Sequence, residues 1–262
     1  MLVSSQIPNN SWEVEYFSKI VRSINPRLDA YKLIVTQNSN WIPFDGSDVI
    51  VFVTQDNTSE IPQYYDSVKA VFKQNIPEND VPKNVYPIPY GYRSGFPTLT
   101  MIPVRDRTVD LYYFGTPQFK GQNLSDAIAK LDRRKVNVDF GFPTKSSVGI
   151  SKAEYAAKLM NSKIAIIPRG ASLETNRFCE AMKSGCILIT EELPVHEFYK
   201  NSPIIAMPER SHWECLPAEV MKLVGNLALM EQMQTKTLAA WNDHYSEQAV
   251  ADFVCSKVLA AV

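Results

Sequence analysis

Residues 164–190 read IAIIPRGASLETNRFCEAMKSGCILIT, and this stretch decides the fold. An apolar run, IAII, is short enough for a strand and apolar on both faces, as buried parallel strands are. Pro168, Arg169 and Gly170 then force a turn, and a short polar loop leads into a helix over 175–184. Gly185 stops that helix, and CILIT starts a second buried strand. Strand, loop, helix and strand make one α/β unit. The loop between a strand's carboxyl end and the next helix is where open α/β sheets bind ligands. A helix N-terminus there offers unpaired N–H groups and partial positive charge, which suit a phosphate.

Arg169 follows the strand and Arg177 lies in the first turns of the helix. A cation near a helix N-terminus opposes the dipole unless an anion offsets it, and a diphosphate would bind both arginines through paired hydrogen bonds. Glu180, three residues on, shares a helix side with Arg177 and could accept the hydroxyl protons of a ribose. The same residues also fit ordinary surface ion pairs, Arg177 with Glu174 or Glu180.

The same rhythm extends in both directions. Helical spacing over 12–24 follows Ser11 as a candidate N-cap, and strands are expected at 33–36, 48–54, 68–72 and 85–92. Residues 97–107 have no helical period and carry Pro97 and Pro103, which marks a crossing between two halves. Beyond it, strands are expected at 109–114, 136–140 and 163–168, and helices at 124–131 and 151–160. The latter opens on the capping box Ser151 and Glu154. An amphipathic helix over 248–259 follows a break at 242–246 and could return to the first half. The expected organisation is an α/β chain of two Rossmann-like domains, 1–104 and 105–245, with mainly parallel sheets facing a cleft, and a C-terminal helix at 246–262.

Composition narrows the ligand. The 262 residues carry 27 basic and 28 acidic side chains, a net charge of −1, so the basic excess of a nucleic-acid binder is missing. Apolar residues make up 45%, enough for true cores. Cys179, Cys186, Cys215 and Cys255 form no CxxC pair, and the three histidines lack metal-ligand spacing, so no metal site is expected. Residues 1–11 are polar, and no apolar run approaches the ~20 residues that span a bilayer, which points to a cytoplasmic protein. No GxGxxG follows an expected strand, which argues against a dinucleotide enzyme.

The run PRG…ETNRFCEAMKSGCILIT resembles the donor domain of exostosin-like glycosyltransferases. YYFGTPQ at 112–118, KAEYAAKLMNSKIAIIPRG at 152–170, VIVFVTQDN at 49–57 and NVYPIPYGY at 84–92 resemble further elements of that family in the same order. The resemblance covers most of 48–190 and implies the GT-B fold. The donor would be a nucleotide sugar, UDP-linked first and GDP-linked second, and the acceptor a glycan or other hydroxyl compound. On that mapping the donor-binding residues are Gly115, Arg169, Gly170, Thr175, Asn176, Arg177 and Glu180, with the base ring near 140–142.

GT-B enzymes meet the leaving diphosphate with arginines and a helix dipole, and no Asp-x-Asp metal motif stands out in this chain, so metal-independent transfer is expected. Retaining relatives carry a glutamate where this chain has Ser172, so the resemblance favours inversion. Asp56, just past the strand at 48–54, is the candidate catalytic base, and a turn-forming aspartate is the plain alternative. Tyr90 and Tyr92 are candidate acceptor contacts, though buried tyrosines with one hydrogen bond are equally ordinary. Glu191 and His196 are candidate sugar contacts. A competing reading is a non-catalytic nucleotide- or sugar-binding module of a larger glycan-assembly complex.

Overall fold

A computed structural model describes residues 2–6, 13–24, 26–55, 58–115, 121–142, 150–170, 175–193, 198–200, 202–208 and 213–260. The chain divides into two compact units. The first comprises Met1–Ser94, Pro194–Lys200 and Asn242–Val262, the second Gly95–Leu193 and Asn201–Trp241. Ten strands are described: β1 (Leu2–Ser5), β2 (Lys32–Thr36), β3 (Gly46–Val53), β4 (Val68–Lys73), β5 (Val85–Pro87), β6 (Val109–Phe114), β7 (Val138–Gly141), β8 (Ser162–Ile167), β9 (Ile187–Glu191) and β10 (Ile204–Met207). The described α-helices are α1 (Val14–Ile24), α2 (Gly121–Ala129), α3 (Lys152–Met160), α4 (Asn176–Lys183), α5 (Leu216–Val224), α6 (Leu227–Ala240) and α7 (Glu247–Ala260).

The first unit holds a parallel sheet in the order β1-β2-β3-β4-β5. The run Val49 to Val53 is buried throughout because both faces of β3 are covered. On one face Val49, Val51 and Val71 pack with Ile42, Tyr64 and Ile76 from the connecting loops. On the other, Phe52 meets Phe17 of α1 at 6.1 Å between ring centroids, and Phe72 meets Phe253 of α7 at 6.2 Å. The C-terminal helix therefore lies in the first unit, beside α1. The break expected at 242–246 is instead a π-helical turn, Trp241–Tyr245. Tyr245 is fully buried, which keeps this polar-looking stretch helical: its hydroxyl donates to the Phe198 carbonyl, and its own carbonyl accepts from the Tyr16 hydroxyl at 2.6 Å.

The second unit holds a parallel sheet in the order β10-β9-β8-β6-β7. Its core gathers Leu111, Ile164, Ile166, Ile187 and Ile189 from the strands with Trp213, Leu216 and Val220 around α5. Ser151 caps α3 by accepting from the Glu154 N–H at 3.1 Å, as its spacing predicts. Gly185, at φ +64°, ends α4 in a Schellman motif. Its N–H reaches the Met182 carbonyl at 2.9 Å and the Cys186 N–H reaches that of Ala181 at 3.0 Å. The segment read as a crossing carries Arg107, which is 2% exposed and donates to the carbonyls of Ile102, Ser162 and Ser184. It satisfies backbone acceptors that burial would otherwise leave unpaired.

Candidate functional site

The second sheet reverses direction at β6. The chain runs from β6 outward to its neighbour β7, then returns across to β8 on the other side, so the connections leave β6 in opposite senses. Such a reversal opens a crevice at the carboxyl ends of the two central strands. Here those ends are Gly115, after β6, and the turn Pro168, Arg169 and Gly170, after β8.

Arg177 enters this crevice from the first turn of α4. Its guanidinium carbon lies 5.8 Å from the centre of the Tyr113 ring. A Cβ at Gly115 would stand 3.0 Å from Arg177 Cζ and Nη2 and 2.8 Å from the Tyr113 hydroxyl. Glycine is thus what lets the β6 backbone, the phenol and the guanidinium meet. Burial pushes the Tyr113 phenol up, and the adjacent Arg177 charge pulls part of the way back. Tyr113 also stacks on Phe140 at 5.5 Å, and Phe140 meets Phe142 edge-on at 4.9 Å, so a partly buried aromatic group borders the arginine.

The turn after β8 is fixed from β9. The Arg169 N–H donates to Glu191 Oε2 at 2.9 Å, and Glu191 is 6% exposed. Register explains the pairing: Ile167 lies opposite Thr190, which sets Glu191 beside the turn. Part of the Glu191 carboxylate is therefore committed to holding Arg169. Thr175 is the N-cap residue of α4, yet its side chain makes no cap hydrogen bond and its Oγ1 is buried without a partner among the described residues. Asn176 and Arg177 are half-buried in the first turn, and Glu180 on the same helix is fully buried. Gly115, Arg169, Gly170, Thr175, Asn176, Arg177, Glu180 and Glu191 all belong to the second unit.

The remaining candidates lie elsewhere. Tyr92 is fully buried in the first unit, where its hydroxyl accepts from Lys19 Nζ at 2.7 Å and donates to Glu247. It links α1 to α7 and is built into the core. Tyr90 is 6% exposed, and its carbonyl accepts from Gln74 Nε2 at 3.3 Å. Between them Gly91, at φ +70°, passes so close to Tyr16 that a Cβ would stand 2.1 Å from the ring. Asp56, His196, Ser172 and Glu174 lie outside the described residues. Among those described, no group of three or more His, Cys, Asp or Glu is placed to hold a metal, and no helix is long and apolar enough to cross a membrane.

Sequence reasoning missed Tyr113 and the anchoring role of Glu191. Strand alternation was the available signal for the first, since Tyr112 and Tyr113 must face opposite sides of β6. The second required the register of two strands, which no single stretch encodes.

Two parallel five-stranded sheets, the second reversing its strand order at β6, form an α/β fold that is shared with solved structures of glycosyltransferases. Solved structures similar to this chain include the GtfA/B complex, with a TM-score of 0.58 at 12% identity over 95% of this chain and 60% of that one. They also include WaaG, a glycosyltransferase involved in lipopolysaccharide biosynthesis, with a TM-score of 0.52 at 11% identity over 98% of this chain and 99% of that one. A third is an α1,3-fucosyltransferase, with a TM-score of 0.50 at 10% identity over 99% and 90%. The chain thus spans about three fifths of the GtfA/B chain that it matches. At these identities the likeness is one of fold. No protein-family model matches the sequence, and no curated protein does.

Proposed function

We propose that the chain is a glycosyltransferase that takes a sugar from a nucleoside diphosphate sugar and passes it to a hydroxyl acceptor. The observation that carries this reading is the Arg177 guanidinium packed against Gly115 at the strand-order reversal. The diphosphate is assigned to Arg169, Arg177 and the N–H groups that open α4, with Gly170, Thr175 and Asn176 as further donors. Glu180 is assigned the ribose hydroxyls, and the aromatic group of Tyr113, Phe140 and Phe142 the face of the base. The resemblance to exostosin-like enzymes favours UDP over GDP.

Chemically, charge grows on the diphosphate as the bond to the anomeric carbon breaks. Two arginines and a helix N-terminus meet that charge without needing to reorganise. In the inverting course, the acceptor oxygen attacks the anomeric carbon from the face opposite the diphosphate while a base removes its proton. Asp56 is the proposed base, because it follows in sequence three residues after Val53, where β3 ends. Glu191 and His196 are proposed near the transferred sugar, and Tyr90 near the acceptor.

Transfer from UDP-sugars to a panel of glycan acceptors tests the reading. Asp56→Asn is expected to lower the transfer rate by about 100-fold or more while sparing UDP binding. A wild-type rate in that variant places the base elsewhere.

A further inference from the structure

The first unit has its own cavity, of about 540 Å³, at the carboxyl ends of β1 and β2. That size falls within the range of small-molecule sites, ~300–1,000 Å³. Gln6, Gln37, Asn40, Trp41, Thr58 and Glu60 are among the residues that line it. Trp41 is 59% exposed, whereas Trp213 and Trp241 are 1% and 7% exposed, so the core has no use for this indole.

Its loop is held firmly. Asn38 Oδ1 accepts from the N–H groups of Asn40 at 2.8 Å and Trp41 at 3.1 Å, closing an Asx turn. The Asn38 carbonyl accepts from the Tyr64 hydroxyl at 2.8 Å, and the Ser39 carbonyl from the Gln63 N–H at 2.9 Å. At Thr58, also in the lining, the carbonyl accepts from the buried Lys73 ammonium at 2.8 Å. Gln37 Nε2 donates to Gln55 Oε1 at 2.7 Å, and Gln55 sits at φ +59°, a backbone conformation that residues with side chains rarely adopt. The indole is therefore presented to the cavity on a braced turn.

The lining chemistry is selective. The side chains of Gln6, Asn40 and Glu60 have no partner among the described residues, and none of the described lining residues is a lysine or arginine. A phosphorylated ligand would find no cation there, and burying its charge unpaired is costly. An amide side chain both donates and accepts, which matches hydroxyl groups that do the same. An exposed indole face beside such amides suits a ring that is apolar on one face and hydroxylated at its rim. We propose that this cavity binds a neutral saccharide, with one sugar ring stacked on Trp41 and its hydroxyls paired with Gln6, Gln37, Asn40 and Glu60. Its use as the acceptor subsite rests on the transferase reading above, whereas saccharide binding does not.

Neutral di- and trisaccharides (lactose, cellotriose, maltotriose and chitotriose) are titrated to millimolar concentrations into the full chain, followed by tryptophan fluorescence and saturation-transfer NMR. At least one is expected to bind saturably. Trp41→Ala is expected to weaken it about tenfold, the scale of one aromatic stacking contact, and Trp41→Phe to restore part of the loss. Because Trp41 is exposed, the far-UV spectrum and melting temperature stay unchanged in both variants. Absence of binding by all four saccharides, wild-type affinity in Trp41→Ala, or displacement of the saccharide by uridine would overturn the proposal. Saccharide binding at Trp41 in a chain that takes no nucleoside diphosphate upholds this site and sinks the transferase reading. Nucleotide binding without saccharide binding does the reverse.

Discussion

The first sheet runs β1-β2-β3-β4-β5 in chain order and ends in amides and an indole, while the second runs β10-β9-β8-β6-β7 and ends in arginines and a glycine. Their central strands are alike, parallel and buried on both faces, as β3 and β9 show. The difference lies in topology and in the residues that leave the carboxyl end of each strand. A reversal at β6 separates two connections and opens a crevice that a helix N-terminus can face. A sheet without reversal offers no such crevice, and its cavity is built from loops braced on one another. On the readings proposed above, one edge takes an anion and the other a neutral ligand.

That contrast can be broken by single substitutions. The largest expected effect is that of Arg177→Ala. Losing a paired, charge-assisted contact to phosphate should weaken UDP by about 100-fold, roughly 3 kcal/mol, as read by calorimetry. Saccharide binding in the first unit should not change. Equal UDP affinity in the variant would return Arg177 to the role of an ordinary surface ion.

Gly115→Ala should act through the same arginine. The new methyl meets the flexible end of Arg177 and the Tyr113 hydroxyl, and Gly115 is not among the glycines with positive φ, so the fold survives and the guanidinium shifts. An affinity loss of about tenfold is expected, in line with ~1.4 kcal/mol from a displaced contact. A melting temperature lowered by many degrees with unchanged affinity would show that the glycine serves packing instead.

The smallest effect separates two helix caps. Ser151 makes its cap bond, so Ser151→Ala should cost ~1 kcal/mol of stability and leave UDP binding alone. Thr175 makes none, so Thr175→Ala should change stability by less than ~0.5 kcal/mol and instead weaken UDP. Chemical denaturation of both variants, with and without UDP, reads the pair. The opposite pattern would mean that the N-terminus of α4 is closed by the protein itself.

Much of this contrast was legible in the sequence, and unevenly so. Around α4 every local signal agreed: a doubly buried strand, a Pro-Arg-Gly turn, and a glycine that must sit at φ +64°. Strand β6 was placed to the residue, because Val109 opens it, three aromatic residues fill its second half and a glycine ends it. By contrast β1 is four residues with two serines, and only pairing with β2 makes it a strand. Helices α5 and α6 escaped notice because Pro217 opens the first and Gly225 and Asn226 interrupt the pair, and such residues read as loop. The site divided in the same way. Arg177 and its helix could be read from spacing, whereas Tyr113, the Glu191 anchor and the Trp41 cavity depend on neighbours brought together by register and by loop packing.

The proposed function requires the carboxyl edge of the second sheet to be a nucleoside diphosphate site. Thermal unfolding of the full chain with UDP, GDP and ADP measures this directly, because a ligand at 100 times its dissociation constant stabilises the native state by about 2.7 kcal/mol. The predicted result is a rise of several degrees with UDP, smaller with the others and lost in Arg177→Ala. An unfolding temperature that none of the three nucleotides moves would contradict it.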